Sequence, residues 1–368
     1  MKVAIDVSPL KTGHQYRGIG AYTDNLAKSF RSTKIHGFSF QLIEKEKIPK
    51  DCDLIHYPYF DLFFLTLPIK KLKPTVVTIH DVIPLVFPEH FLVGLRGSLK
   101  FQIQKKSLKN VKAVITDSEN SKKDIFKYLN YPKEKIYVVP LAPAKEFKPI
   151  TNHQSLTTIK RKYQLPDNFV LYVGDVNYNK NIPGLIKAFS RFLLQTSEHS
   201  SRSSFKLVLV GKAFLDENLK EAKEILQLIK NPSLRSRTLF LTDARNNSLK
   251  LSKKVVCLGW IPTEDLVGIY NLATVYCQPS FYEGFGLPVL EAMACGCPVV
   301  AAKTSSLPEI CGEAAVMVDP YNINNMAMGI KKVIDDKKEL INKGFKQVRQ
   351  FSWERVAKET YEVYQKVV

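Results

Sequence analysis

The stretch PSFYEGFGLPVLEAMACGCPVV, residues 279–300, limits the possible folds more than any other part of the chain. Pro288 suits the opening turn of a helix, where its missing N–H costs nothing. Gly296 suits the position just past the helix end, and Pro298 forbids continuation. The pattern predicts a loop over 280–287, a short helix over 288–295 and a strand over 298–302. That is one step of a parallel sheet. Glu283 falls in the loop and Glu291 in the first helical turn, eight positions later. Gly284 and Gly286 lie between them, where small residues let backbone N–H groups approach a ligand and the helix dipole favours an anion. Two readings fit these residues. One is a phosphate-holding loop with a carboxylate on either side. The other is a structural crossover carrying two solvated glutamates.

The same alternation of strand and helix runs along the chain and argues an α/β fold with parallel sheets. KVAIDV (2–7) reads as a buried first strand, followed by Arg17, Gly18 and Gly20 at a strand-to-helix junction. A lone GxG there is a turn or a phosphate approach, and it lacks the third glycine of a dinucleotide fingerprint. TVVTI (75–79) ends in His80-Asp81, at the strand end where open α/β sheets place ligands. KAVITDS (112–118) leads into a helix capped at Ser118 or Ser121. After KIYVVPLAP (135–143), residues 144–168 are polar without strand pattern and bracket a domain join. FVLYVGDV (169–176) restarts the alternation, with Lys180 in the loop before a helix that has Pro183 near its start. FKLVLVGK (205–212) and KVVCLGWIP (254–262) read as strands, the latter containing Gly259, and Thr263 reads as the next N-cap. Residues 231–238 and 243–253 read as a surface insertion. A helix is expected at about 322–335, and the tail from Phe351 reads as an amphipathic helix.

A chain of 368 residues is longer than one core usually serves, so two domains are expected. The formal charge is +19, of which the first 150 residues carry 11. Such an excess fits an anionic partner (a nucleotide, nucleic acid or anionic lipid) or simple solubility. No RNA- or DNA-binding motif is present, so nucleic acid is not expected. The apolar run at 60–69 is too short to cross a bilayer and contains Asp61. Met1 leads straight into the first strand, and the six cysteines show neither zinc nor disulfide spacing. Reduced, buried thiols and a cytoplasmic location are expected. Asp51 and Asp53 resemble an oxygen pair for a cation but fit better as the polar start of a strand. Arg96, Lys100, Lys105, Lys106, Lys109 and Lys112 sit among apolar residues over 90–112. That segment reads as a basic helix, either an ordinary solvated face or a peripheral contact with an anionic inner-membrane face.

Taken together, the chain resembles the retaining glycosyltransferases of family 4, close to mannosyltransferases of cell-surface polysaccharide assembly. The resemblance spans essentially the whole length. Its most specific part is EGFGLPVLEAMACGCPV at 283–299, which matches the family's Glu-x7-Glu signature. Weaker matches follow in the family's order: RGIG at 17–20, His80-Asp81, Asp117-Ser118, VGDVNYNKN at 173–181, LGW at 258–260 and SSLPE at 305–309.

The resemblance implies a GT-B fold, two Rossmann-like domains facing a central cleft. Residues 1–150 would form the acceptor domain and 166–345 the nucleotide-sugar domain, with the helix 351–368 packing back on the first. It implies that Glu291 accepts hydrogen bonds from the ribose and that Glu283 and His80 lie at the transferred sugar. Lys180 would neutralise the departing diphosphate. Gly284, Phe285, Gly286 and Leu287 would offer backbone N–H groups, Gly18 and Gly20 would approach the phosphates, and Gly259 would line the donor site. The donor is a substrate, so no cofactor is expected, and the reaction is expected to need no metal. Mannose from GDP-mannose, moved to a glycan or lipid-linked acceptor, is the leading expectation. A UDP-sugar transferase and a non-catalytic nucleotide-sugar-binding relative are the alternatives. One departure stands out: Asp175 and Asn179 occupy positions where family members often carry an arginine, leaving Arg17 or Lys212 as replacements.

Overall fold

The computed structural model describes residues 1–11, 18–44, 47–195, 204–216, 218–230 and 251–368. Arg17 and most of the expected insertion, 231–250, therefore lie outside the described residues. The chain forms two compact units, one of Met1–Ala144, Glu283–Phe285 and Gln350–Val368, the other of Lys145–Tyr282 and Gly286–Arg349.

In the first unit the strands are β1 (Lys2–Asp6), β2 (Ser39–Ile43), β3 (Leu54–Tyr57), β4 (Thr75–Thr78), β5 (Ala113–Thr116) and β6 (Ile136–Val138). They pair in parallel in the order β2-β1-β3-β4-β5-β6. β3, β4 and β5 are buried at every position, as expected for parallel strands covered on both faces. The covering helices include α1 (Gly18–Ser32), α2 (Ile83–Val86), α3 (Leu95–Leu108) and α4 (Glu119–Leu129). α4 starts at Ser118, whose hydroxyl accepts from the Ser121 N–H at 3.0 Å, one of the two caps expected from sequence. Asp51 and Asp53 serve Lys2: one binds its ammonium at 2.7 Å and the other its backbone N–H at 2.8 Å. That use favours the structural reading of the pair over the cation reading.

The second unit holds β7 (Phe169–Val173), β8 (Lys206–Val210), β9 (Val255–Leu258), β10 (Val275–Gln278), β11 (Val299–Ala302) and β12 (Ala315–Val318). Their order is β12-β11-β10-β7-β8-β9, again all parallel. The order reverses between β7 and β10, and a crevice for ligands opens at such a switch point. Its helices are α5 (His153–Lys162), α6 (Ile182–Gln195), α7 (Lys220–Lys230), α8 (Thr263–Leu272), α9 (Leu287–Ala294), α10 (Leu307–Cys311), α11 (Ile323–Asp335) and α12 (Lys337–Val348). Tyr172, Phe189, Phe192 and Phe214 fill its core.

Several sequence expectations shift. The polar stretch 144–168 contains α5, capped by Asn152, and this helix belongs to the second unit. Thr263 is the first helical residue of α8, and Pro262 holds the N-cap position. Leu251 lies in a short 3-10 turn and is fully buried, so the end of the expected surface insertion is core. α9 starts one residue earlier than predicted, and Gly296 follows its C-cap with φ +74°, a left-handed conformation that favours glycine. All six cysteines are free thiols; five are buried and Cys257 is half-buried.

The last helix, α13 (Trp353–Gln365), lies in the first unit against α1. Its Tyr364 hydroxyl meets Nδ1 of His56 at 2.7 Å, and His56 Nε2 meets the Thr78 hydroxyl at 2.8 Å. Thr78 continues to the Tyr22 hydroxyl at 3.1 Å. All four residues are buried, and burial pulls the His56 pKa down to about 3, so this chain of bonds is uncharged at ordinary pH. Tyr364→Phe leaves a buried ring nitrogen unpaired, which costs about 1–3 kcal/mol. Urea denaturation of the variant is expected to show that loss, and an unchanged midpoint would contradict the account.

Candidate active site

In the second unit, the loops after β7 and β10 flank the switch point. The first closes in a 3-10 turn, Tyr178–Lys180, that leaves Lys180 half-buried at its end. Two asparagine amides tie that turn to the second loop. The Asn179 side chain donates to the Tyr282 carbonyl at 2.9 Å, and the Asn179 backbone carbonyl accepts from the Phe281 N–H at 2.8 Å. Asn181, in the left-handed region at φ +54°, donates to the carbonyls of Pro279 and Pro320 at 3.1 and 2.9 Å. Both asparagines are buried. Asn179 therefore braces the backbone where an arginine was expected to supply charge. Asp175 uses its carboxylate on the neighbouring Val176 N–H at 2.9 Å. Lys212 is exposed.

Beyond the loop, Gly286 precedes α9 with φ +99°, and a Cβ there would lie 2.6 Å from Leu307. Leu287 opens the helix half-buried. Glu291 is half-buried one turn in, and its carboxylate accepts from the Tyr270 hydroxyl at 3.1 Å. Burial raises its pKa from 4.5 to about 7, against the opposing effect of that hydrogen bond. The Tyr270 contact and the partial burial count against a freely solvated glutamate at this position. Gly259 lies elsewhere, at the end of edge strand β9, where a Cβ would meet Leu215 at 2.9 Å.

In the first unit, the segment Glu283–Phe285 is buried. The Gly284 carbonyl accepts from the Ser118 hydroxyl at 2.6 Å and from the Ser121 hydroxyl at 3.0 Å. A Cβ on Gly284 would fall 2.8 Å from Asp81 and 3.1 Å from the His80 carbonyl, so only glycine fits there. The Phe285 ring meets Phe351 edge to face at 6.2 Å. His80 sits at the end of β4, its Nδ1 2.7 Å from Asp117. Burial opposes charge on the imidazole, but the Asp117 charge and hydrogen bond, aided by Asp81, raise its pKa above the ordinary value. His80 Nε2 is buried without a side-chain partner among the described residues, and the Pro58 backbone also favours the protonated ring. The Tyr22 ring packs edge-on against His80 at 4.7 Å, which places the start of α1 beside the imidazole. Gly20 is buried in that first turn, and Gly18 is exposed.

The structure thus brings Gly284 to His80 within one unit, and the Lys180 turn to residues 279–282 within the other. Sequence reasoning missed Tyr270, Asn181 as a clamp, and the serine hydroxyls on Gly284. These partners are far apart in sequence, and only the left-handed Asn181 leaves a local signal, an asparagine just before a proline-containing helix start. Among the described residues, no cluster of three His, Cys, Asp or Glu could hold a metal.

Comparison with known proteins agrees with this layout. Residues 157–347 match the family "Glycosyl transferases group 1", and residues 14–142 match "Glycosyltransferase Family 4". O-antigen chain mannosyltransferase B of Escherichia coli is 30% identical over 80% of this chain and 71% of that protein. The serotype-specific mannosyltransferase WbdA of Escherichia coli is 28% identical over 81% of this chain, which spans only about a third (34%) of WbdA. Among solved structures, HepE of Anabaena, in complex with UDP and glucose, superposes over 100% of both chains with a TM-score of 0.70 at 18% identity. The fold is GT-B.

The raised Glu291 pKa has a definite sign. Below about 4.5 both folded and unfolded states hold the proton, and no stability difference arises. Between about 4.5 and 7 the unfolded state loses it first, so the native state loses stability as pH rises. Glu291→Gln removes that dependence. Relative to the wild type, the ligand-free variant is expected to gain roughly 2–3 kcal/mol between acid and mildly alkaline pH. Urea titrations across that range check it, and parallel pH profiles for the two proteins would overturn it.

Proposed function

The chain belongs to the group 1 glycosyl transferases, and from that premise we propose that it moves mannose from GDP-mannose to a glycan or lipid-linked acceptor with retention of anomeric configuration. The observation that carries the reading is the asparagine-clamped pair of loops at the switch point, which fixes Lys180 on a rigid turn. The names of the two Escherichia coli relatives support mannose and a role in polysaccharide assembly.

The chemistry follows from where charge develops. As the glycosidic bond of the donor breaks, the nucleoside diphosphate gathers negative charge. Fixed donors and a cation at that point lower the barrier. In this reading Lys180 supplies the cation and the backbone N–H groups of Gly286 and Leu287 supply donors at the start of α9, so no metal is needed. Glu291 accepts from the ribose hydroxyls. Glu283 and His80 serve the transferred sugar, one by orienting hydroxyls or stabilising positive charge, the other by donating a hydrogen bond. Asp117 holds the imidazole for that task.

A second reading, transfer from a UDP-sugar, draws on the UDP and glucose bound by HepE. A thermal-shift screen with GDP, UDP, dTDP and ADP separates the two, because a ligand that binds only the native state raises the melting temperature. GDP is expected to give the largest shift. A larger shift with UDP would move the assignment to the second reading. Lys180→Ala is expected to lower turnover about tenfold or more, since a charge-assisted phosphate contact is worth ~1.5–3 kcal/mol. Glu283→Gln is expected to cut transfer while leaving nucleotide affinity intact. Turnover unchanged by the lysine variant at saturating donor would remove Lys180 from the mechanism, and loss of nucleotide affinity with transfer intact would do the same for Glu283.

A further inference from the structure

The first unit carries a surface whose apolar and charged groups are arranged against the usual logic of a helix. α3 hides Gln104 and Ser107 and exposes Leu95 and Leu99. Leu92, Leu95 and Leu99 are 89%, 92% and 64% exposed. Leu95 and Leu99, four residues apart, share one face of the helix, and Leu92 stands in the non-helical lead-in just before it. Phe64, 63% exposed, joins them, with the Lys100 ammonium 4.9 Å from its ring centre. Large apolar side chains clustered outward in this way mark an interaction site.

That surface is built, not frayed. The side-chain amide of the buried Gln104 donates to the Asp61 carbonyl at 2.9 Å and to the Thr66 hydroxyl at 2.8 Å. Asp61 in turn accepts from the N–H groups of Phe63 and Phe64 at 2.7 and 2.9 Å. Lys71 reaches the Ser107 carbonyl at 2.9 Å. Gln104 is thus spent on fixing the loop that displays Phe64, while the Ser107 hydroxyl donates to the Ile103 carbonyl of its own helix at 3.0 Å.

Charge identifies the occupant. Residues 62–73 and 90–112 together contain nine lysines and arginines and no aspartate or glutamate. Arg96 stands beside Leu95, and Lys100 stands one residue after Leu99. A second copy of this chain would bring the same cations face to face, which like-charge repulsion opposes. An apolar line whose rim is predominantly cationic, with Glu89 the exposed carboxylate just before it, matches the boundary between acyl chains and anionic headgroups.

We propose that Phe64, Leu92, Leu95 and Leu99 insert into the headgroup boundary of an anionic bilayer while Arg96, Lys100 and their neighbours pair with its phosphates. This goes beyond the transfer reaction and does not depend on it. It also narrows the contact from the whole basic segment 90–112 to an apolar line within it and recruits a second loop.

The test is co-sedimentation of the full chain with vesicles of phosphatidylcholine alone and with about 30% phosphatidylglycerol added. The wild type is expected to bind the anionic vesicles and to be released by salt. A triple variant, Leu92→Ser, Leu95→Ser and Leu99→Ser, keeps every charge and touches only exposed side chains. It is expected to bind roughly tenfold more weakly or worse, with an unchanged melting temperature. A Leu95→Trp variant reports insertion directly through a blue shift of its added emission on anionic vesicles. No binding by the wild type, equal binding by the triple variant, or no blue shift overturns the proposal. So does self-association of the lipid-free wild type that the triple variant abolishes, which assigns the face to a second copy.

Discussion

Two buried asparagine side chains hold the centre of the second unit. A loop at the end of a parallel strand exposes backbone carbonyls that find no partner in the sheet, and burying them unpaired is costly. Asn179 and Asn181 answer that demand across the switch point between β7 and β10, binding the carbonyls of Tyr282, Pro279 and Pro320. The amide does what an arginine could not do as compactly: it is neutral, short and able to donate and accept at once. Position 179 therefore serves rigidity, next to Lys180 at the end of the turn.

The first unit shows a related economy around His80. Serine hydroxyls take the Gly284 carbonyl, the absent side chain of Gly284 leaves room for the His80 carbonyl and the Asp81 side chain, and Asp117 sets the imidazole. Behind it the sequence of bonds from Tyr22 through Thr78 and His56 to Tyr364 runs without a charge. α13 is therefore bound to the strand layer by an interior polar contact as well as by packing.

The fold was legible where local chemistry is strong. Pro288, Gly296 and Pro298 bracketed α9 to within a residue, and the short apolar runs marked the inner strands. α5 and α12 escaped because their sequences are polar, with few apolar residues to mark a face, while β2 has only one fully buried residue, Ile43. Thr263 looked like a cap because residue preference points to Thr, yet the chain enters α8 through Pro262. At the candidate site the residue identities could be read, but not their partners. Glu291 meets Tyr270 across 21 residues and Ser118 meets Gly284 across 166, separations at which no periodicity carries a signal.

The cysteines bear on how the molecule can be handled. Burial pushes the Cys257 thiol up to about 11 and those of Cys277, Cys295 and Cys311 to about 12, and it raises Cys52 and Cys297 as well. The reactive form of a thiol is the thiolate, which is scarce in each of these environments near neutrality. The native thiols thus form a quiet chemical background. A single cysteine introduced on an exposed face would be the dominant target of a maleimide probe, with no need to strip the six natural ones from the interior first.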